Sequence, residues 1–204
     1  MKRHFFYLLA LLFFFGACTA WSVALRNERE TGNDFENSQK MLLNDLMIQA
    51  TKYFEQGNYL KAEKNLRKLW NQQRSLETGL MLAISCFNNK HLIFAEECLH
   101  ELISRYPENA VIYNNLGVVL LWQFRYDAAG NALKKACELE PDTELWQKNR
   151  SIIQSISAHN FLRRNFHLSV HLPKDKALRL GLALDLQEQS SAKKQDIGIW
   201  EISK

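Results

Sequence analysis

The sequence predicts an all-α protein, built as a solenoid of three helix hairpins followed by a capping helix, with a short C-terminal β-hairpin as one interpretation of the tail. Three segments align on a helix-turn-helix period, and in each a small residue precedes an alanine by 12 positions. These alanines, Ala62, Ala95 and Ala129, recur at nearly equal intervals, and a leucine follows each of them by four positions. A recurrence with a period of about 34 residues indicates hairpins that bury their apolar faces by stacking on one another.

The first 25 residues predict an export signal. Lys2 and Arg3 precede an unbroken apolar run from Phe5 to Phe15, and small residues follow that run. This is the order of a charged region, an apolar core and a cleavage region. Residues 15–18, which end in Cys18, resemble the lipobox of bacterial lipoproteins, in which the cysteine is lipidated and becomes the first mature residue.

Two other fates of this segment stay open. The 21 residues from Phe5 to Leu25 carry no charge, which is about the length of a membrane-spanning helix, so an uncleaved anchor is one alternative. Plain secretion is the other. With Lys2 and Arg3 on the cytoplasmic side, each fate places the rest of the chain in the periplasm or at the cell exterior. Residues 26–42 are predicted to be a linker.

The third hairpin carries the repeat pattern most completely. Its residues are Tyr113, Leu116, Gly117, Leu120, Tyr126, Ala129, Leu133, Ala136 and Pro141. This spacing resembles the tetratricopeptide repeat (TPR), whose period is about 34 residues. The resemblance covers three units, 43–75, 76–109 and 110–143, and it implies a right-handed superhelix whose first helices line a concave face.

The small residues of each unit predict a close crossing of its two helices. Gly117 and Ala129 mark this crossing in the third unit, where leucines at helical spacing supply the apolar stripe. Residues 144–165 are amphipathic and are predicted to cap the exposed end of the last hairpin. This helix includes the glycosylation sequon at Asn149, which would matter only in a eukaryotic secretory pathway.

The tail, residues 166–204, changes to a period of two, which predicts strands. Apolar residues alternate from Phe166 to Leu172 and again from Leu178 to Leu186, and a third strand over Ile197 to Ile202 would follow. The competing interpretation is a helix from Lys174 to Gln189, because leucine is a good helix former.

Apart from its repeats and tail pattern, the sequence shows few residues that indicate catalysis or metal binding. It has no Gly-rich phosphate loop, no Gly-x-Ser-x-Gly elbow and no His-Glu-x-x-His motif, so we expect a protein that is not an enzyme and has no cofactor. His167 and His171 could ligate a metal, but no Cys or carboxylate cluster completes a site, so no metal is predicted. A net charge of +4 gives no strong sign of nucleic-acid binding.

The remaining cysteines, Cys86, Cys98 and Cys137, lie on predicted helix faces. We expect them to be buried thiols that pack as small hydrophobes. Cys86 and Cys98 fall on the two antiparallel helices of one hairpin, so a disulfide between them stays open as an alternative.

The predicted concave face is apolar and aromatic. Its residues are Met47, Thr51, Phe54, Leu80, Ile84, Phe87, Asn114, Val118, Leu121 and Trp122. TPR domains that clamp a C-terminal carboxylate use Lys, Arg and Asn on this face, and here only Asn114 and Asn115 correspond. The groove therefore suits an amphipathic helix or an apolar segment of another protein. The alternative is that residues 26–42 or the tail fill the groove, and Phe87→Asp or Trp122→Asp is expected to abolish partner capture without unfolding.

These features predict a non-catalytic, protein-binding scaffold that is exported and tethered to a membrane. The resemblance to TPR lipoproteins suggests that it holds an envelope protein during assembly, secretion or pilus biogenesis. The alternative is a single-pass anchored structural subunit of a permanent membrane complex, assembled through its C-terminal tail.

Overall fold

The computed structural model describes residues 37–157, 166–175, 178–188 and 201–202. The chain divides into two compact units, Met1–Leu46 and Met47–Lys204. In the first unit the described residues, 37–46, are helical. Helix therefore includes residues 37–42, which the sequence assigned to a linker. This stretch is rich in Lys, Gln, Met and Leu, which are good helix formers.

The described helices follow one another in antiparallel pairs, as the fold class requires. They are α1 (37–55), α2 (Tyr59–Gln72), α3 (Leu76–Asn88), α4 (Leu92–Arg105), α5 (Ala110–Trp122), α6 (Tyr126–Leu139) and α7 (Glu144–Ser157). From α2 onward each helix packs against the next one in the chain. The all-α fold of stacked hairpins is thereby confirmed.

Side-chain caps begin several of these helices. Asn58, Ser75 and Asn109 each accept a hydrogen bond from a backbone N–H three residues later, at 3.3, 3.2 and 3.3 Å. Such a bond satisfies one of the amide groups that the first turn of a helix leaves without a partner. For these three helices, the polar residue before the apolar run thus defines where the helix begins.

The turn inside each hairpin contains one residue with a left-handed backbone. Its φ is +69° at Gly57, +67° at Lys90 and +62° at Phe124, at equivalent places in the three repeats. Glycine adopts this conformation at little cost, whereas a residue with a Cβ is strained there. The second and third hairpins therefore tolerate strain that Gly57 avoids in the first.

The helices of the third hairpin cross closely at a glycine. A Cβ on Gly117 would lie 2.7 Å from Cγ of Leu133 and 3.2 Å from the carbonyl oxygen of Ala129. No side chain fits there without moving a neighbour. The predicted reason for a small residue at this place is therefore confirmed.

The tail forms a three-stranded sheet in the order β2-β1-β3. β1 (Phe166–His171) pairs antiparallel with β2 (Ala183–Glu188) and parallel with β3 (Glu201–Ile202), and β2 packs against α7. The predicted hairpin is present and the competing helix over Lys174 to Gln189 is wrong. β2 begins later than the predicted start at Leu178, because residues 178–181 form a turn in which the N–H of Gly181 donates to the carbonyl of Leu178 at 2.7 Å.

Candidate ligand-binding groove

Most of the predicted groove residues are buried in the folded chain. Phe54, Leu80, Ile84, Phe87, Asn114, Val118, Leu121 and Trp122 are buried, and Met47 and Thr51 are half-buried. The rings of Phe87 and Trp122 meet edge to face, with centroids 5.5 Å apart. Phe87→Asp would therefore place a carboxylate in the core, and the expectation that it leaves the fold intact does not hold.

A segment of the tail lies on the polar part of this face. Asn115 of α5 accepts a hydrogen bond from the backbone N–H of Leu182 and donates one to the carbonyl of Leu180, both at 2.7 Å. Asn149 of α7 repeats this arrangement two residues further along the tail. It accepts from the N–H of Leu184 and donates to the carbonyl of Leu182, both at 2.8 Å.

The two asparagines occupy equivalent places in successive repeats. One repeat period separates them, and the same interval separates the first residues of α5 and α7. Asn114 joins them: its Nδ2 donates to the carbonyl of Leu182 at 2.9 Å and to Oδ1 of Asn115 at 3.2 Å. Its Oδ1 accepts from Nδ2 of Asn149 at 2.7 Å. We call Asn114, Asn115 and Asn149 the asparagine ladder.

The ladder is shielded from water, which strengthens these hydrogen bonds. All three asparagines are fully buried. In such surroundings an amide without a partner is costly, so the ladder requires backbone groups opposite it. The tail supplies them, which supports the alternative that the chain fills part of its own groove.

Apolar contacts seat the same segment on α7. A Cβ on Gly181 would lie 2.7 Å from the ring of Trp146, which is fully buried and donates from Nε1 to Glu140 at 2.9 Å. Leu178 packs against a buried cluster formed by Ala110, Ala136, Cys137 and Trp146. We call residues 178–184 the clasped segment.

Two exposed ion pairs lie at the ends of the clasped segment. Arg179 pairs with Glu77 of α3, and Lys148 of α7 pairs with Asp185 at 3.3 Å. Exposed pairs of this kind contribute little to stability. The ladder, the leucines and the pairing of Ala183 and Leu184 with β1 therefore account for most of the attachment.

Sequence reasoning missed the role of Asn149. It was notable only as a sequon, yet its amide group is buried and hydrogen-bonded at both ends, so a glycosyl group has no access to it in the folded chain. The available signal was the recurrence of asparagine at Asn115 and Asn149, one repeat apart.

The repeats are also joined by two carboxylates at equivalent positions. Glu63 of α2 accepts from Arg67 at 2.6 Å, from Asn89 at 2.5 Å and from His91 at 3.0 Å. Burial opposes ionisation of Glu63, but these hydrogen bonds and the charge of Arg67 outweigh it and lower its pKa. Glu96, at the equivalent place on α4, pairs with Arg125 at 2.6 Å. Each carboxylate thus links a second helix to the turn of the next repeat.

The three described cysteines are free and buried. Burial raises the pKa of Cys86 and Cys137, and it raises that of Cys98 to about 12. A thiol with a raised pKa is a poor nucleophile at neutral pH. The expectation of packed thiols is confirmed for these residues, and Cys86 and Cys98 form no disulfide.

The structure bears only in part on the expected absence of a metal site and on the predicted membrane segment, because it does not describe every residue. Among the described residues, no three His, Cys, Asp or Glu side chains are grouped so that they could hold a metal ion. Within the same ranges no helix has the length and apolar character needed to cross a membrane. Cys18 and the rest of the N-terminal signal lie outside the described residues.

Paired helices that repeat after about 34 residues, with a small residue at each crossing, define the TPR class of fold. The first TPR domain of RPAP3 (Spaghetti), solved with an HSP90 peptide, is similar to this chain. It is 20% identical with a TM-score of 0.53, and the match covers 57% of this chain and 93% of that chain. A MamA structure from Desulfovibrio magneticus RS-1 is 16% identical with a TM-score of 0.53, and the match covers 56% of this chain and 65% of that chain.

The O-GlcNAc transferase of Thermobaculum terrenum contains a similar region. It is 20% identical with a TM-score of 0.52, and the match covers 57% of this chain but 23% of the enzyme. No protein-family model and no curated protein matches the sequence. At these identities the likeness shows that the chain has a TPR fold.

Proposed function

We infer that this chain is a non-catalytic, protein-binding TPR scaffold, exported and tethered to a membrane by its N-terminal segment, that holds an envelope protein. The asparagine ladder carries this proposal, because helices α5 and α7 already hold a segment of the tail through its backbone. The RPAP3 domain, solved with a bound peptide, supports the same use of the fold. Roles in assembly, secretion or pilus biogenesis rest on the arrangement of export signal, lipobox-like Cys18 and short repeat array.

The distribution of titratable groups supports a non-catalytic role. The lowered pKa values of Glu63 and Glu96 arise from contacts that join repeats, and the described thiols have raised pKa values. A catalytic carboxylate or thiol would instead have its pKa tuned toward its task and face a cleft. The two carboxylates therefore join neighbouring repeats, and the thiols pack in the core.

Site-specific photo-crosslinking in the native host tests the scaffold. A photoreactive residue at Thr51, half-buried on the predicted groove face, should crosslink one envelope protein, and so should one at Met47. The matched control is Lys135, which is exposed on α6 and lies on no predicted groove face. Labelling that is equal at all three positions, or absent from both groove positions, would exclude partner binding at this face.

The intact mass of the protein from the same host tests the tether. A mature chain that begins at Cys18 and carries added acyl mass is the expected result. An uncleaved chain that retains Met1 would support the anchored-subunit alternative. A cleaved chain without lipid would refute membrane tethering.

A further inference from the structure

The turns inside the three hairpins lie along one edge of the stack. Because successive helices are antiparallel, the turns that precede α2, α4 and α6 share this edge, and the loops that precede α3 and α5 share the opposite one. Asn89 and His91 of the second turn bond Glu63 of α2 at 2.5 and 3.0 Å, and Arg125 of the third turn pairs with Glu96 of α4 at 2.6 Å. We define the turn edge as residues 56–61, 89–93 and 123–127.

Large apolar side chains are exposed along the turn edge. Leu60 and Ile93, each the second residue of its helix, are 69% and 73% exposed, and Phe124 is 59% exposed. Leu60 lies one helical turn from Glu63 on the same side of α2, and Ile93 stands in the same relation to Glu96 on α4. Each of these two side chains is therefore next to the following turn. Single exposed apolar residues are ordinary, but a row of them on one edge marks a surface for binding.

The backbone at Phe124 adds a second reason to look outside the fold. Its φ is +62°, the left-handed conformation that Gly57 adopts at little cost in the first hairpin. The phenyl ring is more than half exposed, so its burial gives folding little in return for this strain. Strained residues of this kind concentrate at functional surfaces.

The turn edge continues into a row of lysines. Lys61, Lys64 and Lys68 are exposed and lie at helical spacing on one face of α2, and Lys90 is exposed in the second turn. The acidic residue of α2, Glu63, is buried and hydrogen-bonded within the fold. The exposed carboxylates near the edge are Glu55, Glu97 and Asp127. Positive charge therefore exceeds negative charge around the first two turns.

An anionic lipid bilayer fits this combination of side chains. Apolar residues that project singly from successive turns need no matching pocket in a fluid bilayer, and lysines beside them attract anionic headgroups. Eighteen residues, 19–36, separate the lipobox-like Cys18 from the first described residue, and a chain of this length spans at most about 65 Å. The proposed tether thus keeps the repeats near a membrane, where weak surface contacts are enough for binding.

We propose that the turn edge binds the surface of an anionic bilayer. Leu60, Ile93 and Phe124 enter the headgroup region, and the lysines of α2 and Lys90 face its phosphates. This inference rests on the proposed tether. The opposite edge, which contains the loop between α4 and α5, then faces away from the membrane.

Photo-crosslinking of the full-length chain in phospholipid vesicles tests the contact. A photoreactive residue replaces Ile93 or Phe124, and the vesicles contain phosphatidylcholine with phosphatidylglycerol. The intact mass should show a phospholipid adduct at both positions. The matched control is Glu108, which is exposed in the loop between α4 and α5 and should form at least about tenfold less adduct.

Charge reversal tests the lysine row. Lys64→Glu combined with Lys68→Glu should lower the adduct yield at Phe124 at least about tenfold, because both lysines then repel the headgroups. Lys134→Glu combined with Lys135→Glu changes the net charge equally at two exposed positions of α6. This control should leave the yield within about twofold of that of the wild-type lysines.

The opposite results overturn the proposal. The turn edge does not bind lipid if Ile93 and Phe124 give no adduct, or no more than Glu108 gives. Equal losses in the two charge-reversal variants would mean that net charge, and not this face, attracts the bilayer. Adducts between two chains in place of lipid would make the edge an interface between copies.

Flotation with vesicles of phosphatidylcholine alone separates this proposal from the tether. A chain that floats with these vesicles but forms no edge adducts in either vesicle keeps the tether and refutes the role of the turn edge. A chain that does not float with them, yet forms edge adducts when phosphatidylglycerol is present, supports the turn edge and refutes the tether.

Discussion

Replacing Asn149 with alanine tests whether the asparagine ladder holds the tail. The side chain is fully buried and makes three hydrogen bonds, to Leu182, Leu184 and Asn114, at 2.8, 2.8 and 2.7 Å. After the substitution the carbonyl of Leu182 keeps its bond to Asn114 at 2.9 Å. The N–H of Leu184 and Oδ1 of Asn114 lose the partner that Asn149 supplies.

The size of the effect follows from these two groups. A buried polar group without a partner costs about 1–3 kcal/mol, so the two together cost about 2–6 kcal/mol if the clasped segment stays docked. Water that enters the space left by the amide brings the cost toward the lower end. If docking of the clasped segment contributes less free energy than this cost, the segment detaches and the helices α2 to α6 keep their packing.

Hydrogen exchange of the Leu182 and Leu184 amides measures the loss. A change of about 2 kcal/mol accelerates their exchange by roughly 30-fold, since about 1.4 kcal/mol corresponds to a factor of ten. Asn131→Ala, at an exposed position on α6, is the control and should leave both rates within about twofold of wild type. Exchange at the wild-type rate in Asn149→Ala would refute the reasoning, because the ladder would then contribute nothing measurable to tail docking.

Four further predictions concern the repeats. Gly117→Ala should destabilise the fold by about 1–3 kcal/mol in urea denaturation, because the new Cβ meets Leu133. Gly130→Ala, whose Cβ meets nothing, should stabilise the fold by about 0.5–1 kcal/mol. If Gly117→Ala were the more stable of the two variants, the close helix crossing would be contradicted. Lys90→Gly should stabilise the fold by about 0.5–1 kcal/mol by the same measurement, because glycine adopts the left-handed backbone conformation of this position without strain. A loss of stability in this variant would show that Lys90 is not strained. The lowered pKa of Glu63 contributes stability that is present above the unfolded-state pKa and is lost as pH falls through the folded-state pKa. Glu63→Gln should therefore lower the free energy of unfolding at pH 7 by about 1.5–3 kcal/mol and make that free energy fall less steeply below about pH 5. Curves of unfolding free energy against pH that run parallel for the variant and the wild type would exclude this contribution. Cys98, whose pKa burial raises to about 12, should resist a thiol reagent at pH 8 until urea unfolds the chain, and rapid labelling of the native protein would contradict its burial.

Much of the repeat architecture could be predicted because its signals are local. Gly117 had to be small, since a hairpin at this spacing brings its two helices together there, and the structure confirms the close approach. The change to period two at Phe166 likewise predicted the strand that became β1. Helix periodicity, capping residues and small-residue spacing act within tens of residues, so a single sequence reveals them.

The groove could be predicted only in part. Side-chain spacing placed Ile84 and Phe87 on one face of α3, but it could not show that both are fully buried in the folded chain. Burial depends on what packs against a face, and that is decided by residues distant in sequence. Asn149 shows the same limit, because its partners Leu182 and Leu184 are 33 and 35 residues away.

The sequence by itself determined the TPR hairpins, the order of their helices, and the residue types at each helix crossing, because short-range geometry dictates them. The tertiary structure alone decided that the clasped segment lies against α5 and α7, that Asn114, Asn115 and Asn149 act together, and that Gly181 meets Trp146. The physical reason is that an amide side chain can bind any backbone group. Its partner is fixed only when the whole chain has folded and buried the two together.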